Sequence, residues 1–180
     1  LFVDLNLGKK ELGAEAKALG WQGVCCAKNV FLKNSGDLGK LGEKELCAVE
    51  TNNVELAIQA LERGKFHLLN PFPLESLEKS VFKKAVERGI LFEIPLYILL
   101  HNSFAYRAKA IARARSVLRK CVAHGARFVF TSRAQEEMDL KSPLETIAIA
   151  EFLGLNRAQA KQAISETPRE LLEGIGLKSE

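Results

Sequence analysis

Six short apolar runs recur along the chain, at residues 2–5, 23–27, 46–50, 66–69, 90–94 and 128–131. Helical patterns fill most of the gaps: 11–19, 54–63 closed by Gly64, 77–88 closed by Gly89, and 104–124 between Ser103 and Gly125. A strand that returns through a helix runs in the same direction as its predecessor, so this alternation demands parallel strands and right-handed crossovers. Residues 30–32 offer a seventh strand. A complete eightfold barrel takes about 250 residues, and the chain has 180. The expected class is therefore α/β, a small or irregular TIM-like (β/α) barrel in a single domain over residues 1–180. An open doubly wound sheet is the alternative. Residues 175–180 are expected to form a frayed tail.

Charge is distributed as unevenly as hydropathy. No Asp or Glu falls between Ile94 and Gln135, a window that carries Arg107, Lys109, Arg113, Arg115, Arg119, Lys120, Arg127 and Arg133. With 26 bases against 22 acids the chain is +4 overall, and removing those eight bases leaves the remainder at −4. A polyanion-binding face needs such asymmetry, because each neutralised phosphate releases condensed counterions. A solvated surface helix is the plain alternative. At about 100° per residue, Phe104, Ala110, Ile111, Ala114, Val117, Leu118, Cys121 and Val122 share one arc of the helix. Lys109, Arg113, Arg115, Arg119 and Lys120 share the opposite arc. Arg107 projects from the apolar arc, where an unpaired charge is costly, so it must reach a carboxylate, a rim or a ligand.

After this helix, Arg127-Phe-Val-Phe-Thr-Ser-Arg133 reads as a strand ending in two hydroxyls and a guanidinium. Ser142, Pro143 and Glu145 form a capping box that opens another helix. The strand, the polar loop, the capped helix and the run 152–165 resemble the C-terminal half of the archaeal ribonuclease P protein component 3 family, counterpart of the eukaryotic thirty-kilodalton subunit. The resemblance spans residues 77–172. Its most specific parts are Thr131-Ser132 with Ala134-Gln135-Glu136, Ser142-Pro143, and Ala160-Lys161 leading to Ile164-Ser165. Leu99-Leu100 and Tyr106-Arg107-Ala108 match more loosely. Ile98 stands where the family often has proline, Ser103-Phe104 replaces an Asn-Pro step, and residues 34–45 look short, Gly-rich and flexible.

The resemblance implies a barrel related to the polymerase-and-histidinol-phosphatase family of metal-dependent phosphoesterases, whose first strand ends in Asp-x-His-x-His. Here that motif reads Asp4-Leu5-Asn6-Leu7-Gly8, without either imidazole. Only His67, His101 and His124 occur in the chain, so neither a metal centre nor a catalytic residue is expected. What the resemblance implies instead is a protein subunit of the ribonuclease P endoribonuclease, supporting RNA-catalysed removal of the 5′ leader from precursor tRNA. Magnesium then belongs to the RNA subunit, and the chain binds no cofactor of its own. The implied partners are the RNase P RNA, RNase P protein component 2 and, through the holoenzyme, precursor tRNA. Candidate RNA contacts are Arg107, Arg133, Lys109, Arg113, Arg115, Arg119, Lys120, Ser132 and Lys141. Arg107 and Arg133 are expected at one barrel rim.

Two competing readings remain open at this level. One is a barrel phosphoesterase recruiting metal through Asp4, Glu50, Glu93 and His101. The other is a scaffold whose basic helix meets an acidic protein. Cys25, Cys26, Cys47 and Cys121 lie in apolar contexts without paired C-x-x-C spacing, which points to buried thiols instead of zinc or disulfides. His67 alternates with apolar residues and reads as a satisfied core or rim histidine. No apolar run approaches the about 20 residues of a membrane span, no signal-peptide pattern opens the sequence, and the expected compartment is the cytoplasm.

Overall fold

The computed structural model describes residues 1–42, 44–101 and 103–177. Seven strands appear in it: β1 (Val3–Asp4), β2 (Gly23–Val24), β3 (Lys28–Phe31), β4 (Cys47–Glu50), β5 (Leu68–Asn70), β6 (Leu91–Pro95) and β7 (Phe128–Thr131). β1 pairs with β2, and β3 to β7 form a second sheet in chain order. Every pairing is parallel. The two sheets meet just past β1 and β7, where the Arg133 N–H donates to the Asn6 carbonyl at 2.9 Å and the Ser132 N–H donates to the Asp4 carboxylate at 3.2 Å. The result is an irregular barrel of the expected α/β class. The optional seventh strand is present as β3.

Alternation along the strands separates two apolar layers. Ala48, Leu68, Leu91 and Val129 pack inside with Val3, Leu5, Ala27 and Leu46. Their neighbours Val49, Leu69, Phe92, Ile94 and Phe130 belong to the larger layer shared with the helices. Parallel strands covered on both faces require this period-two division.

Eight helices surround the strands: α1 (Gly13–Ala18), α2 (Val54–Arg63), α3 (Lys79–Arg88), α4 (Leu96–Leu100), α5 (Phe104–His124), α6 (Pro143–Phe152), α7 (Arg157–Gln162) and α8 (Glu166–Gly174), counted among the described residues. Their ends follow local chemistry. Asn53 accepts the Glu55 and Leu56 N–H groups at the start of α2. Ser142 and Glu145 bond each other reciprocally at the start of α6. Gly125, at φ 66°, turns the chain out of α5 in the left-handed conformation that favours glycine.

Two expectations are corrected. Ile175 and Leu177, with Leu171, pack against the inner layer beside the buried Leu172, so the chain after α8 seals the lower barrel and fraying does not begin at 175. Residues 178–180 lie outside the described residues. The segment around 34–42 is an ordered turn, not a flexible loop: Asn34 and Asp37 form a capping box around a 3-10 turn at Ser35–Lys40, and Leu38 and Leu41 enter the core. Its glycines masked a cap and two core leucines. His67 is buried as expected, its Nδ1 accepting the Cys47 N–H at 3.2 Å. Cys47 and Cys121 are buried thiols as expected, whereas Cys25 and Cys26 are only half-buried. No helix among the described residues is long and apolar enough to cross a membrane.

Candidate functional site

The basic window divides between the outside of α5 and the upper mouth of the barrel. α5 packs on α3 and α4 and buries Ala110, Ala114, Val117, Leu118 and Cys121. The first two turns overhang that contact, leaving Phe104 94% and Tyr106 65% exposed. Arg107 is exposed with them, and one of its Nη groups donates to the Leu100 carbonyl at 2.8 Å, at the C-terminal end of α4. No carboxylate is needed there, because this part of the apolar arc buries nothing.

The opposite arc is not uniformly solvated. Arg113 reaches back to the Pro71 and Leu74 carbonyls at 3.0 and 2.5 Å, and burial lowers its pKa from the ordinary value. Lys120, two turns on, donates to the Leu77 carbonyl. Both side chains flank the buried stripe and fasten α5 to the segment leading into α3. Arg115 lies 4.8 Å over the Phe152 ring and donates to the Phe152 carbonyl at 2.9 Å. Lys109 sits 5.8 Å over the Tyr106 ring, and Arg119 is exposed. Lys141 caps the turn before α6 through the Met138 and Leu140 carbonyls, both at 2.9 Å. The outward-facing cations of α5 are thus Arg107, Lys109, Arg115 and Arg119, beside the exposed rings of Phe104 and Tyr106.

The mouth is built one step above the inner apolar layer. In the same alternation that buries Ala48, Leu91 and Val129, positions Glu50, Glu93 and Thr131 follow two residues later. Glu93 is fully buried. It accepts from Asn6 Nδ2 at 2.9 Å, Thr131 Oγ1 at 2.7 Å, Arg133 Nε at 2.9 Å and Arg133 Nη2 at 2.5 Å. The other Nη of Arg133 pairs with Glu50. Burial opposes the Arg133 charge, but Glu93 and Glu50 more than offset it and hold the guanidinium above its ordinary pKa. Arg133 is the one non-glycine residue at positive φ among the described residues, at 46°, a conformation that costs about 1–2 kcal/mol. Charge-assisted hydrogen bonds to Glu93 and Glu50 hold it there.

Beside this network, Asp4 is fully buried, and desolvation pushes its carboxyl up to about 6 against the Ser132 and Asn6 hydrogen bonds that favour the charge. Ser132 is buried as well, and its hydroxyl donates to the Leu7 carbonyl at 3.2 Å. At the rim, His101 pairs with Asp139 and stacks on Tyr97 with ring centroids 4.4 Å apart. Asp139 also accepts the Gln135 and Glu136 N–H groups at 2.7 and 3.1 Å. His101, Glu136 and Asp139 place ligand-type atoms within 4.8 Å of one another, but the Asp139 hydrogen bonds make the group a clasp between α4 and the loop after β7.

The metal centre implied by the related phosphoesterase barrels does not fit these residues. Asn6, at the first missing imidazole, is bonded to Glu93 and to Asn29, each at 2.9 Å. Gly8, at the second, has φ 97°, and a Cβ there would lie 2.3 Å from the Ala134 carbonyl oxygen. The backbone of residues 133–134 crosses where an imidazole would begin, and the Arg133 guanidinium already occupies the carboxylates.

These positions revise the site read from sequence. Ser132 and Arg133 are directed inward and their polar groups are used internally, so they leave the set of candidate phosphate contacts. Arg107 and Arg133 share no hydrogen-bond partner among the described residues. Arg113 and Lys120 act as tethers, and Lys141 caps a turn. Sequence reasoning names Glu93, with Asp4 and Glu50, only as a metal ligand of the phosphoesterase alternative and not as the acceptor at the hub of the mouth, although a carboxylate inside the apolar run 90–94 is the signal that marks it. It also misses the exposed Phe104 and Tyr106, because a helical wheel does not show where a helix leaves its support.

Residues 45–180 match the family model described as RNase P subunit p30. The chain is 32% identical over 117 residues to Ribonuclease P protein component 3 of Methanosarcina mazei, covering 63% of this chain and 49% of that protein. With the same-named protein of Methanothermobacter thermautotrophicus it shares 27% identity over 94 residues, 52% of this chain and 38% of that one. The chain thus spans about half the length, or less, of these curated relatives. Among solved structures, a chain of archaeal ribonuclease P with mature tRNA superposes with a TM-score of 0.74 at 18% identity, covering 97% of this chain and 80% of that one. That likeness is one of fold.

Proposed function

The chain belongs to the RNase P subunit p30 family, and on that premise we propose that it is a noncatalytic protein subunit of ribonuclease P, binding and stabilising the RNA that removes the 5′ leader from precursor tRNA. The observation that carries the reading is α5: an acid-free helix that presents Arg107, Lys109, Arg115 and Arg119 outward beside two exposed aromatic rings. Guanidinium and ammonium groups on such a face bind phosphates without a base sequence, and exposed rings add stacking on unpaired bases. Within the RNA this face screens phosphates that repel one another, lowering the demand for free magnesium. In this reading the magnesium is bound by the RNA, RNase P protein component 2 binds alongside the chain, and the assembly works in the cytoplasm.

The test is reconstitution of precursor-tRNA cleavage from the RNA subunit and component 2, with and without this chain, across a magnesium titration. The chain is expected to shift the titration to lower magnesium and to raise turnover. Superposable titrations count against the assignment, and cleavage by the proteins without RNA overturns it.

A further inference from the structure

The barrel mouth poses a question that RNA binding leaves untouched: why an arginine in an unfavourable backbone conformation is held against two carboxylates inside a protein. We propose that the Arg133 guanidinium is a covalently tethered substitute for a divalent cation, and that the Glu50–Glu93 pair beneath it becomes a divalent-cation site when the guanidinium is removed.

The geometry supports this on three counts. First, the ligands are those of a hard cation: the carboxylate oxygens of Glu50 and Glu93 converge on one group, while Asn6 Nδ2 and Thr131 Oγ1 donate hydrogen bonds that orient Glu93, and Asn29 holds Asn6 in turn. Oxygen donors of this kind suit magnesium, manganese or calcium better than zinc. Second, a cation already sits there. Arg133 meets Glu93 through Nε and Nη2 and Glu50 through Nη1. It binds both acids together, as a bridging metal does, but cannot be lost to dilution or chelation. Third, the surroundings are closed around that choice. Glu93 is fully buried and the Arg133 side chain is 14% exposed, and the crossing at Gly8 denies an imidazole its space. Removing Arg133 therefore leaves a buried and a half-buried acid facing the volume it vacates, with no other basic side chain among the described residues paired to either.

The probe is manganese chloride alone, added to the wild-type chain, Arg133→Ala, Arg133→Gly and the double variant Arg133→Ala/Glu93→Gln. Arg133→Gly matters because glycine adopts the observed φ without strain, which separates loss of charge from relief of backbone cost. Wild type is expected to show no manganese-dependent change in Tm and no bound ion by calorimetry. Both single variants should melt lower than wild type and bind one manganese per chain, with Tm rising by about 5–10 °C at a hundredfold excess over Kd. The double variant should lose that response and melt above Arg133→Ala without metal, because the orphaned charge is gone. Should the single variants fail to fold alone, refolding in manganese is expected to recover them, and failure in both conditions overturns the proposal. So does manganese binding by wild type at this stoichiometry, a folded single variant that ignores manganese, or a response that survives Glu93→Gln.

Discussion

Two arginines from the same acid-free window meet opposite environments. Arg133 is nearly enclosed and satisfied by Glu50 and Glu93, whereas Arg119 projects from α5 into solvent. A charge in the first setting is worth what its removal leaves behind, since the unpaired partners remain buried. In the second, a charge is worth only what an incoming polyanion makes of it, because water and salt screen it. Equal residues in equal sequence context therefore divide into fold and function according to which side of the barrel wall they occupy.

The sharpest break in that comparison is Glu93→Ala. It removes the acceptor shared by Arg133 Nε and Nη2, Asn6 Nδ2 and Thr131 Oγ1 and leaves Arg133 with Glu50 alone, so unfolding free energy should fall by about 3–5 kcal/mol, measured by chemical denaturation. The loss should be nearly independent of salt. A strongly salt-dependent or sub-kilocalorie change would place the mouth in the same class as the helix surface. Gly8→Ala comes next, with an expected loss of at least about 2 kcal/mol from strain at positive φ and collision with the 133–134 backbone.

Titration extends the comparison to a group that α5 does not possess. Asp4 has a folded pKa raised from 3.8 to about 6, so the folded state holds the proton more tightly than the unfolded chain. Its ionisation therefore opposes folding, with stability highest below pH about 4, falling as pH rises through about 6, and level above that. Over this interval the contribution is about 2–3 kcal/mol. Asp37, Asp139 and Glu145 have lowered pKa values and act in the opposite direction. The readout is accordingly the difference between wild type and Asp4→Asn, which should grow in favour of the variant between pH about 4 and about 7. A constant difference would mean that Asp4 is not desolvated in the fold.

The sequence makes the scaffold legible where local chemistry decides it. The bounds of α2, α5 and β7, and the cap at Ser142 and Glu145, follow from periodicity, glycine placement and hydrogen-bond reach. The mouth is less legible because its partners are distant in the chain: Asn6 and Glu93 are 87 residues apart, and Glu50 and Arg133 are 83 apart. No local pattern links Arg133 to them, so a guanidinium after a hydroxyl pair reads as a phosphate ligand until the barrel closes. On α5 the helical wheel gives the correct face but not the extent of support. Arg113 and Lys120 look solvated in projection, although the chain at 71–77 passes within their reach.

The smallest effects should come from the helix surface, where they also discriminate best. Arg119→Ala should change unfolding free energy by less than about 0.5 kcal/mol. Arg115→Ala gives up its stacking on the Phe152 ring, worth about 0.5–1 kcal/mol at an exposed site. Neither change should alter the fold, so under the proposed function their consequences are expected in binding of the RNase P RNA. For each RNA phosphate no longer neutralised, the slope of log affinity against log salt should shrink by roughly 0.7–0.9. Arg113→Ala supplies the internal contrast: its side chain is committed to the Pro71 and Leu74 carbonyls, so it should lower thermal stability while leaving the salt slope unchanged. The opposite result, a stable Arg113 variant with a reduced slope beside an Arg119 variant whose slope is unaltered, would move the proposed RNA face to the α3 side of the helix and leave the outward arc as ordinary solvated surface.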